Sequence, residues 1–202
     1  MKLFSYVVAR DYGFAPNPFY GVCSLATCKP IIRRTANVGD WIIGTGTAER
    51  NRSGTLVYAM QVSRILTYNE YWYSPQFQNK KPILTGSKKQ AFGDNIYCFE
   101  SGRWRQENSH HSYTDGVENQ ANIINDTQTD RVLLADKYVY FGGKGPQIPS
   151  RFRSYLGEDI CQNGRGHKNK FSPDLINEFI QWVKSLDNWG YTEEPLDWNR
   201  TP

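Results

Sequence analysis

The sequence predicts a mixed α+β fold in a single domain spanning residues 1–202. Three observations carry that prediction. Several short runs are enriched in β-branched and aromatic residues, with turn residues between them. A stretch near the C-terminus places apolar residues on one helical face. No internal repeat, heptad pattern or linker divides the chain. At 202 residues the chain is long enough for a core that needs neither disulfide nor metal staple. Aromatics make up 14% of it, with 13 Tyr and 6 Trp, and the mean hydropathy is −0.65. Half-buried rings in a polar, β-rich framework are therefore expected.

The elements follow in order. Residues 3–9, LFSYVVA, read as a buried first strand. Cys23 to Cys28 is expected to form a short helical turn that Pro30 ends. Gly39-Asp40 turns into the strand WIIGT, and TLVYAMQVSRI reads as one long strand pairing with it. Thr67 and Glu70 have capping-box spacing, so TYNEYWYS is predicted to be a short helix ended by Pro75. The polar stretch of about 76–92 reads as a surface excursion, and order returns at NIYCF, Asn95 to Phe99. Residues 100–130 form a second long loop, whose length marks it as a functional segment or lid. RVLLADKYVYFG gives one or two strands. Ser172 and Pro173 start a helix whose apolar face is Leu175, Ile176, Phe179, Ile180 and Val183, and an irregular tail of about 189–202 follows.

Charge and cysteine usage bound the function. A net charge of +4 and a pI near 8.8 favour acidic ligands only mildly. The apolar run at the N-terminus is cut off by Arg10 and Asp11, too soon for a signal peptide, and no window approaches a membrane span, so a soluble cytoplasmic protein is expected. Cys23, Cys28, Cys98 and Cys161 form no CxxC pair and are expected to be reduced. With His110, His111 and His167 they match no standard zinc spacing, and no metal or cofactor is expected.

The segment DYGFAPNPFYGVCSLATCKPIIRR, Asp11 to Arg34, is the most distinctive part of the chain. Pro16 and Pro18 hold Ala15 and Asn17 out of the helical region and keep the loop extended. Around that frame stand Phe14, Phe19 and Tyr20 for stacking, Asp11 and Asn17 for base edges, and Lys29, Arg33 and Arg34 for phosphate. The candidate ligand-binding set is Asp11, Phe14, Asn17, Lys29, Arg33, Trp41, Thr45 and Tyr97, with stacking assigned to Phe14, Trp41 or Tyr97.

For chemistry, Asp94, Glu100, Glu107, His110, His111, Asp115 and Asp126 form the one acid-base cluster, with His110 and His111 the candidate catalytic residues. In an extended segment these two histidines face opposite ways, so at most one faces a site. Cys23 or Cys28 as nucleophile has no neighbouring histidine in sequence, and inert buried thiols are expected. GTGTAER and GGKGP fit neither the P-loop nor the dinucleotide fingerprint, and they read as turns beside Arg50, Arg52 and Lys144. No G-x-S-x-G elbow and no zinc-deaminase signature is present.

The N-terminal segment with VGDWIIGTG, and later RVLLADKYVYFGGKGPQIP, resembles the second class of nucleotide modification-associated domains, from Lys2 to about Trp182. The order of strands is also similar to that of PUA-like barrels, including the EVE, ASCH and YTH relatives. The matching positions are Asp11, Asn17, Cys23, Cys28, Lys29 and Arg33, with Gly39, Asp40, Gly44 and Gly46, while Ser24 stands at a threonine-like position. What the resemblance implies is a small PUA-like mixed β-barrel with flanking helices, working near DNA-modification and phage-defence systems. The leading expectation is a module that binds a nucleotide or a modified base in nucleic acid. Two alternatives stay open: an enzyme processing such a base with a histidine general acid or base, and a sponge or sensor for a free nucleotide signal.

Overall fold

The computed structural model describes residues 1–199. In chain order it contains β1 (Leu3–Val8), β2 (Cys23–Leu25), α1 (Pro30–Thr35), β3 (Trp41–Gly46), β4 (Leu56–Gln61), β5 (Arg64–Leu66) and α2 (Tyr68–Tyr73). There follow α3 (Lys88–Ala91), β6 (Tyr97–Glu100), β7 (Arg103–Gln106), α4 (Gln120–Asp126), β8 (Val132–Ala135), β9 (Lys137–Tyr140), α5 (Ser150–Arg153), α6 (Pro173–Ser185) and β10 (Gly190–Tyr191). These elements sort into two compact units. The first comprises Met1–Asp11, Ala36–Val62 and the chain from Lys137 onward, and the second comprises Tyr12–Thr35 and Ser63–Asp136.

The first unit is built on a mixed sheet of order β1-β3-β4-β9-β10. β1 runs parallel to β3, with Leu3 opposite Trp41, and β3 pairs antiparallel with β4 as the sequence predicts. The ladder starts at β1 and ends at β10, so the sheet is open, and among the described residues no barrel closes. Gly44 is dictated by packing, because a Cβ there would come within 2.4 Å of the Tyr58 ring. The core joins Leu3, Trp41, Ile43, Ala59 and Val139 to the apolar face of α6, whose five predicted residues are all buried. Each such side chain contributes about 1.5–3 kcal/mol by leaving water. Pro173 opens α6 at its first turn, although the Ser172 side chain makes no capping hydrogen bond.

The second unit holds the three-stranded sheet β2-β8-β5 and the hairpin β6-β7. Its core gathers Phe14, Val22, Tyr68, Tyr71, Phe77, Tyr97 and Leu134. The capping box at Thr67 and Glu70 is present and starts α2. Three expectations change here. Cys23 begins a strand rather than a helical turn, and Pro30 opens α1 instead of ending a helix, which suits its fixed φ and missing N–H at a first helical position. The run TLVYAMQVSRI breaks at Val62-Ser63, so that β4 and β5 belong to different sheets, and β8 and β9 part in the same way at Asp136. Ser63 Oγ donates to Asp136 Oδ2 at 2.8 Å, tying the two polar residues at which these strands change sheet. Both long loops also carry structure: a 3-10 turn (Pro75–Lys80) and α3 in the first, β7 and α4 in the second.

Of the expected irregular tail, Gly190–Tyr191 pairs with β9 and Leu196–Asn199 forms a 3-10 turn, while residues 200–202 lie outside the described residues. Among the described residues no helix is long and apolar enough to cross a membrane.

Candidate active site

Cys28 sits in the four-residue joint between β2 and α1, where it and Lys29 adopt left-handed φ values of 56° and 42°. Such values in non-glycine residues cost free energy and persist only where the surroundings enforce them. Enforcement is visible on both sides of the residue. The Cys28 N–H donates to Asp126 Oδ1 at 2.8 Å, and the Cys28 carbonyl accepts from Arg33 Nε at 2.8 Å.

The fixed thiol faces a histidine that is 83 residues away in sequence. Cys28 Sγ lies 3.7 Å from His111 Nε2, and His111 Nδ1 lies 2.8 Å from Asp126 Oδ2. Because the carboxylate can only accept, Nδ1 carries the proton toward Asp126 and Nε2 is left facing the sulfur. Thiol, imidazole and carboxylate thus form one hydrogen-bonded chain, all within the second unit, an arrangement able to activate a thiol. Asp126 is 0% exposed, while Cys28 and His111 are half-buried. Burial by itself would lower the His111 pKa, but hydrogen bonds to Asp126 and Cys28, together with their charges, outweigh it and carry the pKa up to about 9.

The supporting groups are specific. The Tyr97 hydroxyl donates to Asp126 Oδ2 at 2.9 Å, and burial followed by the Asp126 charge raises its pKa, which keeps it a donor. Asn122 Nδ2 and Gln106 Nε2 both donate to the His111 carbonyl, at 2.8 and 3.2 Å. Arg33 is fully buried: NH2 donates to the Asp126 carbonyl at 2.5 Å, and NH1 to the Tyr68 hydroxyl at 2.9 Å and the Arg131 carbonyl at 3.0 Å. One guanidinium therefore fastens the backbones of nucleophile and carboxylate together.

Cys28, His111 and Asp126 each offer a metal-ligand atom, all within 4.8 Å of one another. The orientation fits a proton relay better than a metal site. Sulfur and carboxylate meet different nitrogens of the ring, whereas a shared ion takes one nitrogen, and Asp126 already accepts from Cys28, Tyr97 and His111.

The residues singled out from the sequence fall into separate places. Phe14, Asn17, Lys29, Arg33 and Tyr97 lie in the second unit, whereas Asp11, Trp41 and Thr45 lie in the first. Trp41 and Tyr97, at 1% and 0% exposure, are core side chains, and Thr45 Oγ1 donates to the Tyr6 carbonyl at 3.3 Å. Asp11 accepts from the Tyr140 hydroxyl and the Leu196 N–H, and burial raises its pKa. Asn17 accepts from Lys80 Nζ at 2.7 Å and donates to the Phe92 carbonyl at 3.0 Å, within a buried network that also holds Ser24, Tyr71 and Asp94. Arg33 is turned inward rather than toward phosphate, and Phe14 packs against the His111 ring at 4.6 Å. Lys29 is half-buried beside Cys28, and burial lowers its pKa against the opposing Cys28 charge. Arg50, Arg52 and Lys144 meet Asp197, the Gly142 carbonyl and Glu193 in the first unit.

The two histidines do not alternate as an extended strand would have them. They lie in a turn with ring centroids 6.1 Å apart, His111 on Cys28 and His110 on neighbouring aromatic rings. Sequence reading named Asp126 and His111 within its acidic cluster and set Cys28 apart from them. The positions shared with the resembled family hold Cys28, but nothing in linear spacing joins it to His111. Cys23, by contrast, is wholly buried, and burial pushes its thiol up to about 12.

Among curated proteins and among solved structures, nothing matches the chain. The family model for nucleotide modification associated domain 2 matches residues 1–202, so the chain belongs to that family.

Proposed function

We propose that this protein is a thiol-dependent enzyme acting on a nucleotide or on a base within nucleic acid, with Cys28 as nucleophile. The observation that carries the reading is the hydrogen-bonded line from Cys28 Sγ through His111 to Asp126. The family description, nucleotide modification, supplies the substrate class. In the reaction, the proton given up by Cys28 is held on His111 Nε2, and Asp126 stabilises the imidazolium so formed. The thiolate adds to an electrophilic carbonyl carbon attached to the nucleotide. Protonated His111 then gives its proton to the leaving amine or alcohol, which leaves a thioester on Cys28. Water, deprotonated by His111, opens the thioester and restores the thiol. Work within DNA-modification or phage-defence systems is part of this proposal and rests on the family association alone.

The second reading is a module that only binds its base, and the aromatic side chains around His110 favour it. Two measurements separate the readings. Alkylation by iodoacetamide, followed by peptide mass spectrometry, is expected to label Cys28 well ahead of Cys23, Cys98 and Cys161, and to slow in His111→Asn. Incubation with nucleotides and modified DNA is expected to give a new product and a trapped Cys28 adduct, both lost in Cys28→Ala. A Cys28 no more reactive than Cys23 would remove the catalytic reading.

A further inference from the structure

Continuous with the His111 ring lies a ring cluster that the reaction steps above do not use. Tyr12 and Phe92 stack with centroids 5.1 Å apart and planes 14° from parallel. The His110 imidazole leans on both, at 4.7 Å from Tyr12 and 5.3 Å from Phe92. Phe14 lies beneath, 5.3 Å from His110 and 4.6 Å from His111, so the cluster is continuous with the ring that faces Cys28. Burial grades along it: Phe14 is 4% exposed, Tyr12 and Phe92 are half-buried, and His110 is exposed. Tyr12 and Phe92 pack on the second unit's core without being enclosed by it.

We infer that this cluster is the stacking platform for the planar base of the substrate, placing the group to be attacked over Cys28. The inference rests on the thiol-enzyme reading for its purpose but on separate residues for its geometry. Three features support a heterocycle as occupant. Ring faces recognise any base through its π surface, whatever its hydrogen-bonding edge. The platform already accommodates a planar nitrogen heterocycle, the imidazole of His110. Lys29, half-buried and adjacent to Cys28 in the chain, offers a cation for an anionic tail. The substrate class is thus a nucleotide whose base carries an acyl or carboxamide substituent, held by its ring rather than by its phosphate.

The test uses the full chain with Cys28→Ala, so that binding is read without turnover. Nucleoside 5′-monophosphates are titrated against it by saturation-transfer NMR, with ribose 5-phosphate as the probe lacking a base. Saturable binding of the monophosphates is expected, weakened about 5- to 150-fold by Tyr12→Ala, the equivalent of about 1–3 kcal/mol per stacked base. Tyr12→Phe should restore it, which separates loss of the ring from damage to the fold. Absence of saturable binding, indifference to Tyr12→Ala, or equal competition by ribose 5-phosphate would each overturn the platform. Failure of Cys28 to alkylate selectively would sink the enzyme reading while leaving these binding results standing.

Discussion

Replacing Asp126 by Asn removes the carboxylate whose hydrogen bond, more than its charge, raises the His111 pKa, while keeping the side chain's shape. In the native site the carboxylate accepts from the Cys28 N–H, the Tyr97 hydroxyl and His111 Nδ1. An amide has one acceptor oxygen and one donor nitrogen, so at least one of these donors must face an N–H. His111 then keeps its burial, which lowers its pKa, and loses the strongest opposing group. Its midpoint should fall from about 9 toward the ordinary value of 6.5, with the remaining contact to Cys28 still raising it. The assay is a pH titration of the His111 ring by NMR, with the Cys28 alkylation profile beside it. The sign for stability follows from the raised pKa. The native pair stabilises the fold fully below about pH 6.5, and that contribution is lost as pH rises through about 9. The shift corresponds to at most about 3–4 kcal/mol, and solvent screening at the partly exposed His111 makes the realised value smaller. A native midpoint near 6.5, or a midpoint that Asp126→Asn does not move, would refute the relay.

Three further substitutions probe the frame around the site. Arg33→Lys keeps the charge but cannot span the Cys28, Asp126 and Arg131 carbonyls and the Tyr68 hydroxyl, so it should lower stability by about 3 kcal/mol and slow Cys28 alkylation; an unchanged melting temperature and alkylation rate would contradict the clamp. Lys80→Met leaves the buried Asp94 carboxylate without its cation and should destabilise by about 3–5 kcal/mol in urea unfolding, with the added change Asp94→Leu recovering part of the loss; a purely additive double variant would show that the two charges are not coupled. Thr67→Ala removes the capping box of α2 and should cost about 1 kcal/mol by the same measurement without altering Cys28 reactivity, whereas a change in reactivity would place α2 in the site's support.

Local patterns were legible where one element answers to one pattern. The continuous apolar run LFSYVV, the Thr67-Glu70 spacing and the apolar face of α6 each act within a few residues, and each produced the predicted element. Legibility failed where tertiary context divides a continuous pattern. TLVYAMQVSRI is rich in β-branched and aromatic residues along its length, so its composition reads as one strand, yet β4 and β5 join different sheets at the point where Ser63 and Arg64 pair with Asp136. The aromatic content raised the same difficulty. A tryptophan in a strand suits a stacking role and a core role equally, and burial of Trp41 at 1% decides for the core.

The site itself is hidden by distance along the chain and by the burial of a charged side chain, Arg33, in a stretch whose composition suits a surface. Cys28, His111 and Asp126 are brought together by β2, a turn in the long loop and α4, elements whose pairing no local signal encodes. Arg33 follows Cys28 by five residues in a basic stretch, and among surface charges it would read as a phosphate ligand. Its donors instead meet backbone carbonyls of the two segments that carry the thiol and the carboxylate, a use that needs the five-donor planar fork of arginine and that a lysine could not fill. Buried cations are costly, and this one has carbonyl and hydroxyl acceptors rather than a direct carboxylate partner. That expense is intelligible if the guanidinium holds a left-handed cysteine in register with its base and adds positive potential where a thiolate forms. The distinctive spacing of the N-terminal segment then belongs to the machinery that positions the nucleophile, and recognition of the base falls to the rings of Tyr12, Phe92 and His110 beside it.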